Sequence, residues 1–344
     1  MREPEKILII RFGSMGDVLL TTPLIRALRK RLPGAKIDYL IKPAFAPILK
    51  GNPNLNRVIE LPRSGAFSDL RYILNKIKGE KRYDIILDIH HNLRSWYVRH
   101  SGIGVEKRLA SKNRLKRWLL INAGINTYGS DPAPMAVRYF TVVDGLLDPP
   151  IEPDENGAEI FPEDAELEEA RRAVAECDSY IVVAPSAHWP TKRWLPERFA
   201  QAGDMIAGQF GARAVLVGAG EDVSLSNSVT AFMSSEPLNL TGKLSLRITA
   251  AVIAGAKAFL GNDTGLMHIA GALGKPGIVV FGPTTGHLGY FPYKSKIGVV
   301  ENAALECRPC TKQGHLKCPK GHFLCMRSVS VEQVVRSMKK VLTH

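Results

Sequence analysis

The sequence predicts an α/β protein built as two doubly wound, Rossmann-like halves, and three observations carry that expectation. Short continuous apolar runs, typical of parallel strands covered on both faces, alternate with segments of helical periodicity. A stretch dense in prolines and acids, 148–164, divides the chain into two such series. Several runs end in a glycine-bearing turn that opens a helix, the fullest being Gly261-Asn262-Asp263-Thr264-Gly265-Leu266-Met267-His268. With 344 residues, 45% hydrophobic and 23% charged, the chain has a globular composition and the length for two cores.

In chain order, 6–11 (Lys-Ile-Leu-Ile-Ile-Arg) reads as the first strand, followed by the turn Phe12-Gly13-Ser14-Met15-Gly16-Asp17. One helix with apolar Val18, Leu19, Leu24, Ile25 and Leu28 then runs to Arg31, where Pro33-Gly34 stops it. Strands follow at 36–41, 57–61 and 84–87, with helical patterns between and after them, and the first domain spans 1–150. Pro153, Asn156, Gly157 and Pro162 mark 151–163 as a linker. The second domain, 164–328, opens with a helix at 165–176 and a strand at 180–184, with further strands at 214–217, 256–260 and 277–281. The last stretch, 329–344, holds a well-patterned helix at 330–342 that can pack back across the first domain. Two such domains place a cleft between them, a favoured ligand location.

Residues 1–150 hold 26 Lys+Arg against 13 Asp+Glu, whereas 151–344 hold 20 of each, so the first half carries the whole net charge of +13. A field of that sign attracts polyanions. Nucleic acid is disfavoured as the partner because aromatic RNA-binding signatures do not accompany the charge. No apolar run reaches the ~18–20 residues that span a bilayer, and the charged start runs directly into a strand, so the chain reads as cytoplasmic.

The 261–268 turn can place Asp263 or Thr264 at a helix cap, leaving backbone N–H groups free for a diphosphate with Gly265 allowing close approach. An ordinary capped turn uses the same residues. The first turn, 13–17, resembles a dinucleotide fingerprint but lacks its third glycine, and no acid follows the next strand to hold a ribose. It presents Asp17 instead, as a general base or as a helix cap. The loop 185–197 carries Ser186, Lys192 and Arg193 after a strand, and paired cations there suit a diphosphate leaving group. Glu221, in the glycine-rich turn 217–222, and Thr241, in 241–246, lie on further loops of the same kind.

In this order the pieces 11–23, 192–194, 241–246 and 261–276 resemble glycosyltransferase family 9, the ADP-heptose:lipopolysaccharide heptosyltransferases. The resemblance covers nearly the whole chain. It implies a GT-B architecture, with the acceptor bound mainly by the first domain and the nucleotide sugar by the second. It also implies inversion at the anomeric carbon without a metal at the diphosphate. Carried over by residue, Asp17 matches the catalytic base and Lys192 the lysine at the donor phosphates. Asp263, Thr264, Gly265 and His268 match the donor-binding turn, and Glu221, more loosely, an acid that holds the nucleoside; Ser186, Arg193 and Thr241 join the donor set. The basic half then suits an anionic lipopolysaccharide core, for which Gly16, Lys42, Arg63, His91 and Arg94 are candidate binding residues. The stretch 88–95 resembles the family's acceptor-side loop. The run 112–121, basic and amphipathic with Trp118, can dock on the inner leaflet or bury its apolar stripe. The resemblance thus implies an enzyme peripheral on the inner membrane, using ADP-heptose and a core acceptor. A different nucleotide sugar or a protein acceptor is the alternative on the same fold.

Cys307, Cys310, Cys318 and Cys325 cluster before the final helix, with His315 and His322 between them. Four soft ligands at that spacing suit a structural zinc or iron, and four free thiols, or a disulfide formed on isolation, are the alternative.

Overall fold

The computed structural model describes residues 3–61, 67–111 and 113–343. It divides into two compact units, one of Met1–Asn113 with Ala133–Phe161, the other of Arg114–Pro132 with Pro162–His344.

Among the described residues, the first unit holds a five-stranded sheet of β1 (Lys6–Ile10), β2 (Lys36–Ile41), β3 (Arg57–Glu60), β4 (Tyr83–Asp88) and β5 (Gly104–Leu109). All pairings are parallel and the order is β3-β2-β1-β4-β5. Central β1 is buried along its whole length because helices cover both faces, which is why it reads as an unbroken apolar run. β5 was not anticipated. It alternates exposed and half-buried residues, and the charges of Glu106, Lys107 and Arg108 on this edge strand hide its pattern.

The single helix expected up to Arg31 is two, Met15–Leu19 and Thr22–Arg31. Pro23 lies in the first turn of the second and has no N–H to continue the first. At the break, the hydroxyls of Thr21 and Thr22 donate to the carbonyls of Val18 and Leu19 at 2.7 and 2.8 Å. Of the stretch read as an interdomain linker, 151–163, the part as far as Phe161 groups with the first unit. Arg26 pairs with Asp154 at 2.7 Å and Glu159 at 2.6 Å, while the Glu159 N–H donates to Thr22 Oγ1 at 2.9 Å.

The second unit, likewise among the described residues, has a six-stranded parallel sheet of β6 (Tyr180–Ala184), β7 (Arg213–Leu216), β8 (Leu238–Asn239), β9 (Phe259–Asn262), β10 (Gly277–Phe281) and β11 (Ile297–Glu301). Its order is β11-β10-β9-β6-β7-β8. Sequence reading missed β8, only two residues long, and β11, whose apolar run is interrupted by Gly298. The C-terminal helix Val331–Thr343 packs within the second unit. Val334, Val335 and Met338 join Ile278, Val280 and Val300 in the core of the second. No helix among the described residues is long and apolar enough to cross a membrane.

Each sheet reverses its direction of growth once, between β1 and β4 in the first and between β6 and β9 in the second. At such a point the connections leave the carboxyl ends of neighbouring strands in opposite directions and open a crevice.

Candidate active site

In the first unit, β1 leads into a turn that only glycine can pass. Gly13 has φ +150°, and a Cβ there would lie 2.3 Å from the Phe45 ring. The short helix Met15–Leu19 then places Gly16 and Asp17 at the switch point, with Asp17 8% exposed. Asp17 is not the helix cap, a position taken by Ser14. Its Oδ2 pairs with the Arg11 guanidinium at 2.5 Å and accepts from Ser14 Oγ at 2.8 Å, while Oδ1 accepts from the Tyr139 hydroxyl at 2.7 Å.

Across the switch point, Asp88 at the end of β4 is fully buried. Its Oδ1 accepts from the backbone N–H groups of His90 and His91, and its Oδ2 pairs with Arg99 at 3.1 Å. Asp88 therefore folds the loop that carries His91, and the helix Leu93–Arg99 carries Arg94 in its first turn. Lys42 directly follows β2. Gly16, Asp17, Lys42, His91 and Arg94 thus follow strand ends on one edge of the first sheet. Arg63 lies outside the described residues.

The second sheet gathers the donor candidates in the same way. Ser186 follows β6, Glu221 follows β7, Thr241 follows β8, and Asp263 with Thr264 follows β9. Lys192 Nζ reaches Asp263 Oδ2 at 2.5 Å, and Thr284 Oγ1, after β10, donates to the same oxygen at 2.6 Å. Asn262 braces both sides of the crevice, accepting from the Trp194 N–H at 3.1 Å and donating to the Pro185 carbonyl at 2.7 Å. Asp263 does not cap the helix Gly265–Ala272. Thr264 takes the cap position with no side-chain capping bond, and its Oγ1 is buried without a partner among the described residues. A buried hydroxyl, the N–H groups of a helix start and an ammonium at one crevice are groups that can receive phosphate oxygens. His268 is buried one turn further along.

Three further donor candidates have settings of their own. Arg193 turns its Nε onto the Ala187 carbonyl at 2.7 Å, bracing its own loop. Thr241 is buried, and its hydroxyl donates to Ser226 Oγ at 2.8 Å. Glu221 is exposed, whereas its neighbour Asp222 is buried and holds the turn by accepting from the Ala219 N–H at 2.9 Å.

Among the described residues no group of three or more His, Cys, Asp or Glu is placed to hold a metal ion. None of the five cysteines is in a disulfide. Cys307 Sγ lies 3.9 Å from His322 Nε2, and burial pushes the Cys325 thiol up to about 11. What this segment does show is a brace for the donor crevice. Arg308 donates to the carbonyls of Gly282 and Thr284, and the Thr191 hydroxyl exchanges bonds with His315, donating to its carbonyl at 2.9 Å and accepting from its N–H at 2.7 Å.

Sequence reasoning missed Tyr139, Thr284 and Arg308. Thr284 was within reach, since it follows a recognised strand like the other candidates. Tyr139 has no local signal, standing 122 residues from its partner.

A caged carboxylate at one switch point and groups that can receive phosphate at another suit group transfer from a nucleoside diphosphate. The family model of glycosyltransferase family 9 (heptosyltransferase) matches residues 71–319. Lipopolysaccharide heptosyltransferase 2 of Salmonella typhimurium is 26% identical over 301 residues, covering 81% of this chain and 83% of that protein. A family 9 glycosyltransferase structure from Veillonella parvula superposes with a TM-score of 0.81 at 23% identity, covering 98% of this chain and 97% of the other. The structure of Escherichia coli ADP-heptose lipopolysaccharide heptosyltransferase II gives 0.74 at 21% identity, covering 98% of each. The chain is therefore a glycosyltransferase of GT-B architecture, and it belongs to glycosyltransferase family 9, the heptosyltransferases.

Proposed function

We propose that this enzyme moves heptose from ADP-L-glycero-D-manno-heptose to the inner core of lipopolysaccharide, with inversion at the anomeric carbon. The observation that carries the donor side is Lys192 Nζ at 2.5 Å from Asp263, beside the open helix start at Thr264. The names of the relatives support heptose and lipopolysaccharide as the substrates.

In this reading an acceptor hydroxyl gives its proton to Asp17 as its oxygen bonds to the anomeric carbon. The bond from that carbon to the diphosphate breaks, and the electron pair leaves on ADP. Lys192 and the N–H groups at 264–265 stabilise the departing charge, so the chain's own groups supply the electrostatics with no cofactor. Asp263 holds Lys192 in place and meets the heptose hydroxyls. Ser186, Glu221 and His268 complete the donor site, and Lys42, Arg63, His91 and Arg94 bind acceptor anions.

The helix Arg114–Ala123 exposes Leu115 and Trp118 beside Arg114, Lys116 and Arg117, a composition that suits the anionic inner leaflet. The enzyme is then a cytoplasmic protein peripheral on the inner membrane, where a lipid-anchored acceptor lies. The four cysteines remain a proposed zinc or iron site that requires the loop to close around the ion. Metal analysis of protein purified without oxygen tests this: about one ion per chain, lost on Cys310→Ser, supports it, and four titratable thiols without metal reject it.

Calorimetric titration with ADP, ADP-heptose, UDP and UDP-glucose tests the donor. Binding of the adenosine pair, lost on Lys192→Ala, is expected. Preference for uridine would overturn the substrate while leaving the family in place.

A further inference from the structure

We infer that Arg11 and Tyr139 are positioning residues for Asp17, holding its carboxylate ionised and aimed for the acceptor hydroxyl. The inference rests on Asp17 being the base. The three side chains touch pairwise: Arg11 to Oδ2 at 2.5 Å, Tyr139 to Oδ1 at 2.7 Å, and the guanidinium carbon 5.7 Å from the centroid of the Tyr139 ring. All three residues are buried, and Arg11 is itself fixed by donating to the Ile89 carbonyl at 3.0 Å.

A guanidinium keeps its proton throughout the accessible range, so Arg11 presents a fixed positive charge to the carboxylate. Tyr139 fixes the other oxygen through a neutral hydroxyl, and the two contacts together set the plane of the carboxylate. The acceptor proton goes to this carboxylate as the glycosidic bond forms, and it returns to water after ADP has left with its electron pair. Before that, both donors favour the ionised carboxylate. They thereby keep the base ionised and aimed, at some cost in its basicity. Among the described residues, the ionisable groups that interact with it include Arg11, Tyr139 and Tyr39, and His90, on the loop after β4, packs against Phe12 of the turn that carries it. Burial pushes the Tyr39 phenol up, and its hydroxyl bonds to Thr21.

The test is the pH profile of kcat/KM in the full chain, with ADP-heptose and an inner-core acceptor, for Tyr139→Phe, Arg11→Lys and Asp17→Asn. Removing a donor from the ionised carboxylate raises its pKa, so Tyr139→Phe is expected to move the acidic limb upward by about one unit. Through lost orientation of the carboxylate, its kcat at neutral pH should fall roughly tenfold with KM for ADP-heptose unchanged. Arg11→Lys, which keeps the charge but not the planar fork, should restore part of what Arg11→Met loses. It also provides a second reading should Tyr139→Phe fail to fold. An acidic limb unmoved in the variants, or losses equal at every pH with a raised donor KM, would overturn the inference. Asp17→Asn separates the two levels. A near-normal rate in that variant withdraws the base assignment itself. Loss of rate there, with the limb unmoved in Tyr139→Phe, rejects only the positioning roles.

Discussion

Asp263 is held from two sides by residues distant in the chain, Lys192 by charge and Thr284 by a hydroxyl. A carboxylate so placed keeps the ammonium at the crevice when no phosphate is present. Thr284→Val should therefore loosen the lysine, weakening ADP-heptose binding about tenfold, the equivalent of one hydrogen bond to a charged group. Calorimetry on that variant checks it, and unchanged affinity would assign Thr284 to folding alone. Asp17→Asn should keep donor affinity and lose most turnover. Gly13 is a matter of space: Gly13→Ala puts a methyl 2.3 Å from the Phe45 ring at a φ that L residues rarely adopt. A loss of about 2–4 kcal/mol in denaturant unfolding is expected. These positions differ in legibility. Gly13, Lys192 and Asp263 stood at recognisable strand-to-helix turns, whereas the partners that orient them became visible only when separate segments were brought together.

At the scale of elements, the cysteine-bearing segment has a consequence for binding that does not need a metal. Arg308 ties it to Gly282, Thr284, Asn302 and Glu301, so the loop carrying Thr284 is fixed from behind. Arg308→Ala leaves several carbonyls without their donor and should lower both the melting temperature and ADP affinity. Loss of stability with full affinity would separate the brace from the site. The helix Arg114–Ala123 makes a surface prediction: Trp118→Ala should weaken sedimentation with anionic vesicles, and added salt should weaken it further. Equal binding by the variant would remove this helix from the membrane contact. Strands with both faces covered were legible because burial demands an unbroken apolar run. β5 and β11 were not, because an edge strand needs burial on one side only and tolerates charge or glycine.

Over the whole molecule, one arginine decides where 151–161 belongs. Arg26 takes both Asp154 and Glu159, and its hydrogen bonds hold the Asp154 carboxyl down at about 2, against an ordinary 3.8. A carboxylate depressed in the folded state stabilises it fully above the unfolded pKa, near 4, and that contribution is lost as pH falls through about 2. The melting temperature of Arg26→Ala should therefore lie below that of the parent at pH 7, with the gap narrowing below pH 4. A gap constant with pH would mean that packing, not charge, holds the segment. By itself the sequence determined the α/β class, the central strands and the turns that bear the chemistry, because burial and backbone geometry leave local, periodic marks. Only the tertiary structure decided the partners: Tyr139 on Asp17, Thr284 on Asp263, the 151–161 segment on Arg26, and the final helix in the second core. Those choices depend on which distant segments share a strand end or a helix face, and no local pattern records that.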